Sequence, residues 1–243
     1  METKYSSLPG PIGIFDSGYG GLTVFDKIRE RMPAYDYIYL GDNARAPYGP
    51  RSFDVVYRFT RQAVMRLFAE GCQLVILACN TASAKALRTI QQRDLPVWDE
   101  TRRVLGVIRP TVELMDRISR SKHVGVVGTA GTIASGSYQI EIAKMFPHIQ
   151  VTSEACPMWV PLVENNEFDS LGADYFVRKY LDELFRKDPL IDTLILGCTH
   201  YPLLIEKIRR YVLTGVTLLP QGEYVASSLE DYLHRHPEMD RKL

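Results

Sequence analysis

Eight short apolar runs alternate with amphipathic stretches along this chain, and that alternation constrains the fold more than any other feature. In order the runs are "IGIF", "YIYL", "LVILA", "VLGVI", "HVGVVG", "IQVTSEA", "TLILG" and "VTLLP". The stretches between them include "GLTVFDKIRERM", "FDVVYRFTRQAVMRLFAE", "SAKALRTIQQR" and "ADYFVRKYLDELFRK". The last sets Tyr175, Leu181, Leu184 and Phe185 on one face at helical spacing. Strand-helix alternation predicts parallel sheets joined by right-handed crossovers. Strands this uniformly apolar fit sheets covered on both faces.

The order of these units repeats. The first strand ends "IGIFDSGYGG" and the fifth "VGVVGTAGT"; the second runs into "GDNARAPYG" and the sixth into "ACPMWVPLVE"; the third ends in "CNT" and the seventh in "CTH". Three matches in one order predict an α/β fold of two similar parallel-sheet domains related by internal duplication. The expected division is 1–107, 108–219, and a segment 220–243 returning to the first domain. A chain of 243 residues accommodates either one large domain or two smaller ones, and folding at that length removes roughly 70–75% of the unfolded surface. In open α/β sheets ligands bind beyond the carboxyl ends of the strands. If the halves face each other, Cys79 and Cys198 approach one cleft from opposite sides.

Four cysteines in a chain this long do not make a disulfide framework, and no Cys-x-x-Cys or His-x-x-x-His pair suggests zinc. The thiols are expected to be reduced. Cys72 and Cys156 read as small core hydrophobes. Cys79 and Cys198 differ, because polar Asn80, Thr81, Thr199 and His200 follow them at once. A strand-to-helix turn aims backbone N–H groups and the positive helix end at its first residues, which lowers a thiol pKa and holds a carboxylate. Thr81 and Ser83 are candidate caps after Cys79, and Pro202 suits the first turn after Cys198.

Other strand ends carry further candidates. Asp16 and Ser17 lie in "DSGYGG", whose glycines let the backbone approach a ligand. A dinucleotide fingerprint is weak there, since Thr23 stands at the third glycine position, and no Gly-Lys-Ser/Thr phosphate loop occurs. Glu164 follows "PMWVPLV", and His200 lies close enough to Cys198 to assist as acid or base. Tyr48, beside Pro47 and Gly49, offers a hydroxyl or backbone contact; Arg45 and Arg51 read as surface residues. Two thiols facing one carbon suit inversion of a centre bearing an acidic hydrogen. A thiolate removes the proton from one face and a thiol returns another to the opposite face.

Composition narrows the partners. Lys+Arg and Asp+Glu are 29 each, a balance giving no long-range attraction for nucleic acid or anionic membrane. No apolar run approaches the ~20 residues of a membrane span, and "METKYSSLPGP" lacks the apolar core of a signal peptide. The expected compartment is the cytoplasm.

Together, "FDSGYGGLTV", "APYG", "ACNTASA", "GVVGTAGTIASGSY", "CPMWVPLVE" and "LGCTHYPLL" resemble the cofactor-independent glutamate racemases of the aspartate/glutamate racemase superfamily, over nearly the whole chain. The resemblance implies interconversion of L- and D-glutamate, supplying D-glutamate for peptidoglycan, without pyridoxal phosphate or metal. It implies that Cys79 deprotonates D-glutamate and Cys198 L-glutamate, with Asp16 auxiliary to the first thiol, His200 to the second and Glu164 nearby. Substrate contacts carry over to Asp16, Ser17, Tyr48, Gly49, Asn80, Thr81, Thr199 and His200, and the assembly implied is a homodimer. Two stretches depart from the pattern. "LLPQGEYVA" stands where many members have an Asp-Ser turn, and "QQRDLPVWDETRRVLGV" is longer than the usual connection. Aspartate racemase is the nearest rival. A hydrolase using Cys79 as nucleophile and His200 as base would leave Cys198 without a role, and a non-catalytic amino-acid-binding module is the third reading.

Overall fold

The computed structural model describes residues 9–243; residues 1–8, on which most of the signal-peptide reading rests, lie outside it. Among the described residues, eight strands form two four-stranded parallel sheets. The first holds β1 (Ile12–Asp16), β2 (Tyr37–Gly41), β3 (Leu74–Leu77) and β4 (Arg103–Gly106) in the order β2-β1-β3-β4. The second holds β5 (His123–Gly128), β6 (Gln150–Ala155), β7 (Thr193–Gly197) and β8 (Thr217–Leu219) in the order β6-β5-β7-β8. The two orders are equivalent. The central strands β1, β3 and β7 are buried along their whole length, whereas the edge strands β2 and β6 are mostly half-buried. That follows from composition: "LVIL" and "TLILG" offer apolar side chains to both faces, while "QVTSEA" alternates.

Register delivers the two cysteines to matching places. β1 pairs with β3 from Ile12–Leu74 to Phe15–Leu77, and the Ala78 N–H still donates to the Phe15 carbonyl at 2.8 Å. Asp16 and Cys79 therefore emerge at adjacent strand ends. In the second sheet Gly128 pairs with Gly197, the residue before Cys198.

The helices that cover the sheets are largely those the periodicity predicts. Phe53–Ala69 begins at Ser52, whose hydroxyl accepts from the Val55 N–H, and buries Val56, Ala63, Val64 and Leu67. Leu171–Lys187 begins at Ser170 in the same way and buries Ala173, Val177, Tyr180, Leu181, Leu184 and Phe185. Tyr175 is not on that face: it is 62% exposed. Two residues past Ala173 is some 200° around the helix, so Tyr175 points outward and rests edge-on against Phe176, with ring centroids 5.1 Å apart.

"SAKALRTIQQR" is not one helix. It falls across Asn80–Lys85, Leu87–Thr89 and a π-helical turn Ile90–Asp94, followed by a further turn, Leu95–Trp98. The buried Asp94 anchors this longer connection, accepting from the Tyr57 hydroxyl at 2.9 Å and Arg61 Nε at 3.0 Å. After β8 the chain crosses over. The helix Gly222–Arg235 buries Val225, Ala226, Leu229 and Leu233 in the cluster that contains Ile12, Ile14, Val24 and Ile28 of the first half. Val225, Leu229 and Leu233 each contribute about 1.5–3 kcal/mol on burial, which holds the C-terminal helix to the first sheet although β8 belongs to the second. Among the described residues, no helix is long and apolar enough to cross a membrane.

Candidate functional site

The carboxyl ends of both sheets open on one cavity of about 140 Å³. Cys79 and Cys198 both line it, with Ser17, Tyr48, Gly49, Asn80 and Thr81 from the first half and Glu164, Thr199 and His200 from the second. A larger groove of about 790 Å³ lies elsewhere, between helices carrying Lys85, Arg88, Arg109 and Arg235. It contains no thiol and most of its charges are paired, so the smaller cavity is where reactive groups converge.

Cys79 is the residue before the helix Asn80–Lys85, in extended conformation with φ −63° and ψ 119°. Its Sγ lies 3.5 Å from the Ser17 hydroxyl. Neither Thr81 nor Ser83 caps that helix. The Ser83 hydroxyl donates back to the Leu77 carbonyl at 2.8 Å, and the Thr81 hydroxyl faces across the cleft. Burial pushes the Cys79 thiol up to about 12, and the nearby Asp16 carboxylate pushes the same way. Cys198 is raised further, chiefly by burial, with the His200 backbone N–H opposing. The helix-end argument from sequence pointed to a lowered thiol pKa. Burial from water outweighs it here and holds both thiols protonated.

Each thiol has an attendant group. His200 Nδ1 is 3.8 Å from Cys198 Sγ, and its Nε2 is 3.1 Å from Glu164 Oε1. Glu164 is about one-third exposed, so this thiol–imidazole–carboxylate line runs from the buried sulfur toward water. Asp16 does not line the cavity; it sits fully buried behind it. Its Oδ2 accepts from the Gly21 N–H at 2.9 Å and the Gly18 N–H at 3.3 Å, and its Oδ1 accepts from the Thr199 hydroxyl at 3.5 Å. Burial raises its pKa from 3.8 to about 6, with the charge of His200 and three backbone N–H groups resisting.

Tyr48 and Asn80 line the cavity with their side-chain polar atoms turned to partners within the protein. The Tyr48 hydroxyl donates to Asp42 Oδ2 at 2.6 Å, so Tyr48 faces the cavity with its backbone and ring only. Both polar ends of the Asn80 amide are likewise engaged away from the cavity, with Gln221 and Tyr138. Arg45 and Arg51 do more than cover the surface. Arg45 pairs with Asp42 and lies over the Phe59 ring, and Arg51 donates to the Arg45 and Pro47 carbonyls, bracing the loop that carries Tyr48 and Gly49.

The cleft is closed by contacts between halves. The Gly131 N–H donates to the Gly49 carbonyl at 2.9 Å, and the Thr23 hydroxyl to the Thr199 carbonyl at 3.0 Å. Gly20 faces His200 and Thr199 so closely that a Cβ there would stand 2.5 Å from Nδ1 and 2.6 Å from Oγ1. Across the cleft the hydroxyls of Thr81, Thr129 and Thr132 form a triangle with sides of 2.9, 3.1 and 3.2 Å. Thr129 lines the cavity and was missed from sequence; its place just after β5, matching Ser17 just after β1, was the signal that could have found it. Cys156 also lines the cavity, with Pro157. Its Sγ lies 3.8 Å from the Glu154 carbonyl, and burial holds it protonated. Cys72 packs in the core.

Residues 12–227 match the family model described as Asp/Glu/hydantoin racemase. The chain belongs to that family. It is 44% identical to a glutamate racemase of Roseobacter denitrificans over 238 residues, covering 94% of this chain and 87% of the relative. Among solved structures, a glutamate racemase isoform from Bacillus anthracis superposes with a TM-score of 0.87 at 36% identity, covering 95% of this chain and 84% of that one. The glutamate racemase of Francisella tularensis, solved with D-glutamate, gives 0.84 at 33%, covering 95% and 83%. The paired β2-β1-β3-β4 and β6-β5-β7-β8 sheets are thus an α/β fold that matches those glutamate racemase structures.

Proposed function

We propose that this chain is a glutamate racemase that inverts Cα by two-thiol proton transfer, Cys79 taking the proton from D-glutamate and Cys198 from L-glutamate. The observation that carries the proposal is the placement of these thiols at the ends of β3 and β7, in different sheets, lining one 140 Å³ cavity. A single-nucleophile hydrolase would need only one of them.

The chemistry follows from the surroundings. Both thiols start neutral, and one must ionise to act as base. The substrate's α-ammonium brings positive charge beside them, offsetting the burial that holds them protonated. His200, with Glu164 behind it, takes up or supplies the proton exchanged at Cys198; Asp16 serves the Cys79 side from behind Thr199. The hydroxyls of Ser17, Thr81, Thr129 and Thr199 hold the substrate carboxylates. Once Cα–H breaks, the electron pair is delocalised into the α-carboxylate, and the opposite thiol donates its proton to the other face. No step calls for pyridoxal phosphate or a metal ion, and protein freed of small molecules by dialysis should retain activity. The D-glutamate formed would supply peptidoglycan synthesis in the cytoplasm.

The test is incubation of each enantiomer in D₂O, with Cα deuterium and optical rotation followed together across a panel of enantiopure amino acids. Glutamate alone should both exchange and invert. Aspartate, one methylene shorter, should be disfavoured by about 10–200-fold in kcat/KM; a preference for aspartate, or exchange without inversion, would overturn the assignment. The division at 1–107, 108–219 and 220–243 belongs to the same proposal, as does a homodimeric assembly, which sedimentation equilibrium would test.

A further inference from the structure

Gln221 stands in the "PQG" stretch just after β8, and it is buried, 3% exposed, between the two halves. It closes a ring of hydrogen bonds. Asn80 Nδ2 donates to Gln221 Oε1 at 2.6 Å, Gln221 Nε2 donates to the Tyr138 hydroxyl oxygen at 2.7 Å, and that hydroxyl donates to Asn80 Oδ1 at 2.6 Å. The second Gln221 Nε2 hydrogen goes to Thr111 Oγ1 at 2.9 Å, whose own hydroxyl donates to the Val107 carbonyl at 2.9 Å. Every polar atom of the ring has a partner, so the orientation of each amide is fixed by the others.

The ring has unusual reach. Asn80 is the residue immediately after Cys79. Tyr138 lies on the helix Ser137–Met145 in the second half, and its ring abuts Gly197, the residue immediately before Cys198; a Cβ at Gly197 would stand 3.3 Å from a Tyr138 ring carbon. One tyrosine thus holds the backbone beside one thiol by a hydrogen bond and the backbone beside the other by contact. Gln221, at the start of the helix packed on the first half, locks that tyrosine.

We propose that Gln221 and Tyr138 are positioning residues that set the distance between Cys79 and Cys198 across the cleft. The inference rests on the two-thiol racemase reading. Two-base inversion needs both sulfurs in reach of one carbon, and a displacement of about 1 Å costs as much as 10²-fold. A reaction needing one base does not have that requirement. Elimination from 3-chloroglutamate is such a reaction: one thiolate takes the Cα proton, the Cα–Cβ double bond forms, and chloride leaves with the Cβ–Cl pair.

The experiment compares wild type with Tyr138→Phe, which keeps the ring, and Gln221→Met, which keeps the length. Both are assayed for glutamate racemisation and for chloride release from 3-chloroglutamate of each Cα configuration. Racemisation kcat/KM should fall by roughly 10–100-fold in both variants, mainly in kcat, while elimination changes by less than about threefold. Parallel loss of both activities would mean general damage to the fold and would overturn the proposal, as would racemisation left intact. Wild-type protein that eliminates chloride but never racemises would instead sink the racemase reading itself.

Discussion

Asp16→Asn tests whether the site holds a carboxylate at a cost to the fold. Asp16 is fully buried, and its pKa rises from 3.8 to about 6. A carboxyl whose folded-state pKa is raised holds its proton more tightly folded than unfolded. Its contribution is therefore intact below pH 4 and is lost as pH climbs through about 6. The displacement corresponds to about 3 kcal/mol, with the opposing contributions of His200 and the backbone donors already included in it. Asparagine is nearly isosteric, and its Oδ1 can still accept from the Gly21 and Gly18 N–H groups. The variant should match wild type near pH 4 and be the more stable at pH 7.5. With about 2–4 °C per kcal/mol at this chain length, the gap in Tm should open toward 10 °C. Thermal unfolding of both proteins from pH 4 to 8, followed by circular dichroism, measures this, and taking the difference cancels titrations they share. Racemisation by the variant should fall meanwhile. A Tm difference independent of pH would refute the buried-carboxylate argument.

Cys79→Ser and Cys198→Ser should each abolish racemisation yet retain elimination from 3-chloroglutamate with opposite Cα preferences; the same preference in both would defeat the facing-thiol arrangement. His200→Asn should lower kcat/KM by about 10²–10⁴, equally in both directions because the equilibrium between enantiomers is fixed by symmetry. Its Cα-deuterium isotope effect should rise most for L-glutamate, the enantiomer assigned to Cys198. Gly20→Ala puts a methyl 2.5 Å from the buried His200 Nδ1, so racemisation should drop at least about tenfold and Tm should fall as well, because overpacking costs about 1–3 kcal/mol. Full activity in that variant would show that the cleft works without this close approach.

The sheets are legible in one dimension, because strand and helix are written in local apolar period and eight runs are too short and too apolar for other duty. The sequence also shows where reactive groups cluster. "CNT" and "CTH" end strands, and strand ends in parallel sheets converge. What it could not determine is anything set by which side chain meets which across the two halves. Tyr48 and Asn80 looked like ligand contacts, yet their polar atoms are claimed by Asp42, Gln221 and Tyr138. Thr129 and Thr132, unremarked within "VGVVGTAGT", gain their place only when the cleft brings them onto Thr81. Tyr175 fell off its predicted face because nine residues separate it from Leu184, about 180° around the helix, so the spacing itself sets the two on opposite sides. The thiol pKa values illustrate the same division. A strand-to-helix turn is legible in one dimension and argues for lowering, but burial is a property of the closed cleft, and it argues for raising with more force. Gln221 is the clearest case. From sequence it was an unexplained departure near Pro220. In the fold it lies 141 residues from Asn80 along the chain and 2.6 Å from it in space, and only packing of the two halves decides that such residues meet.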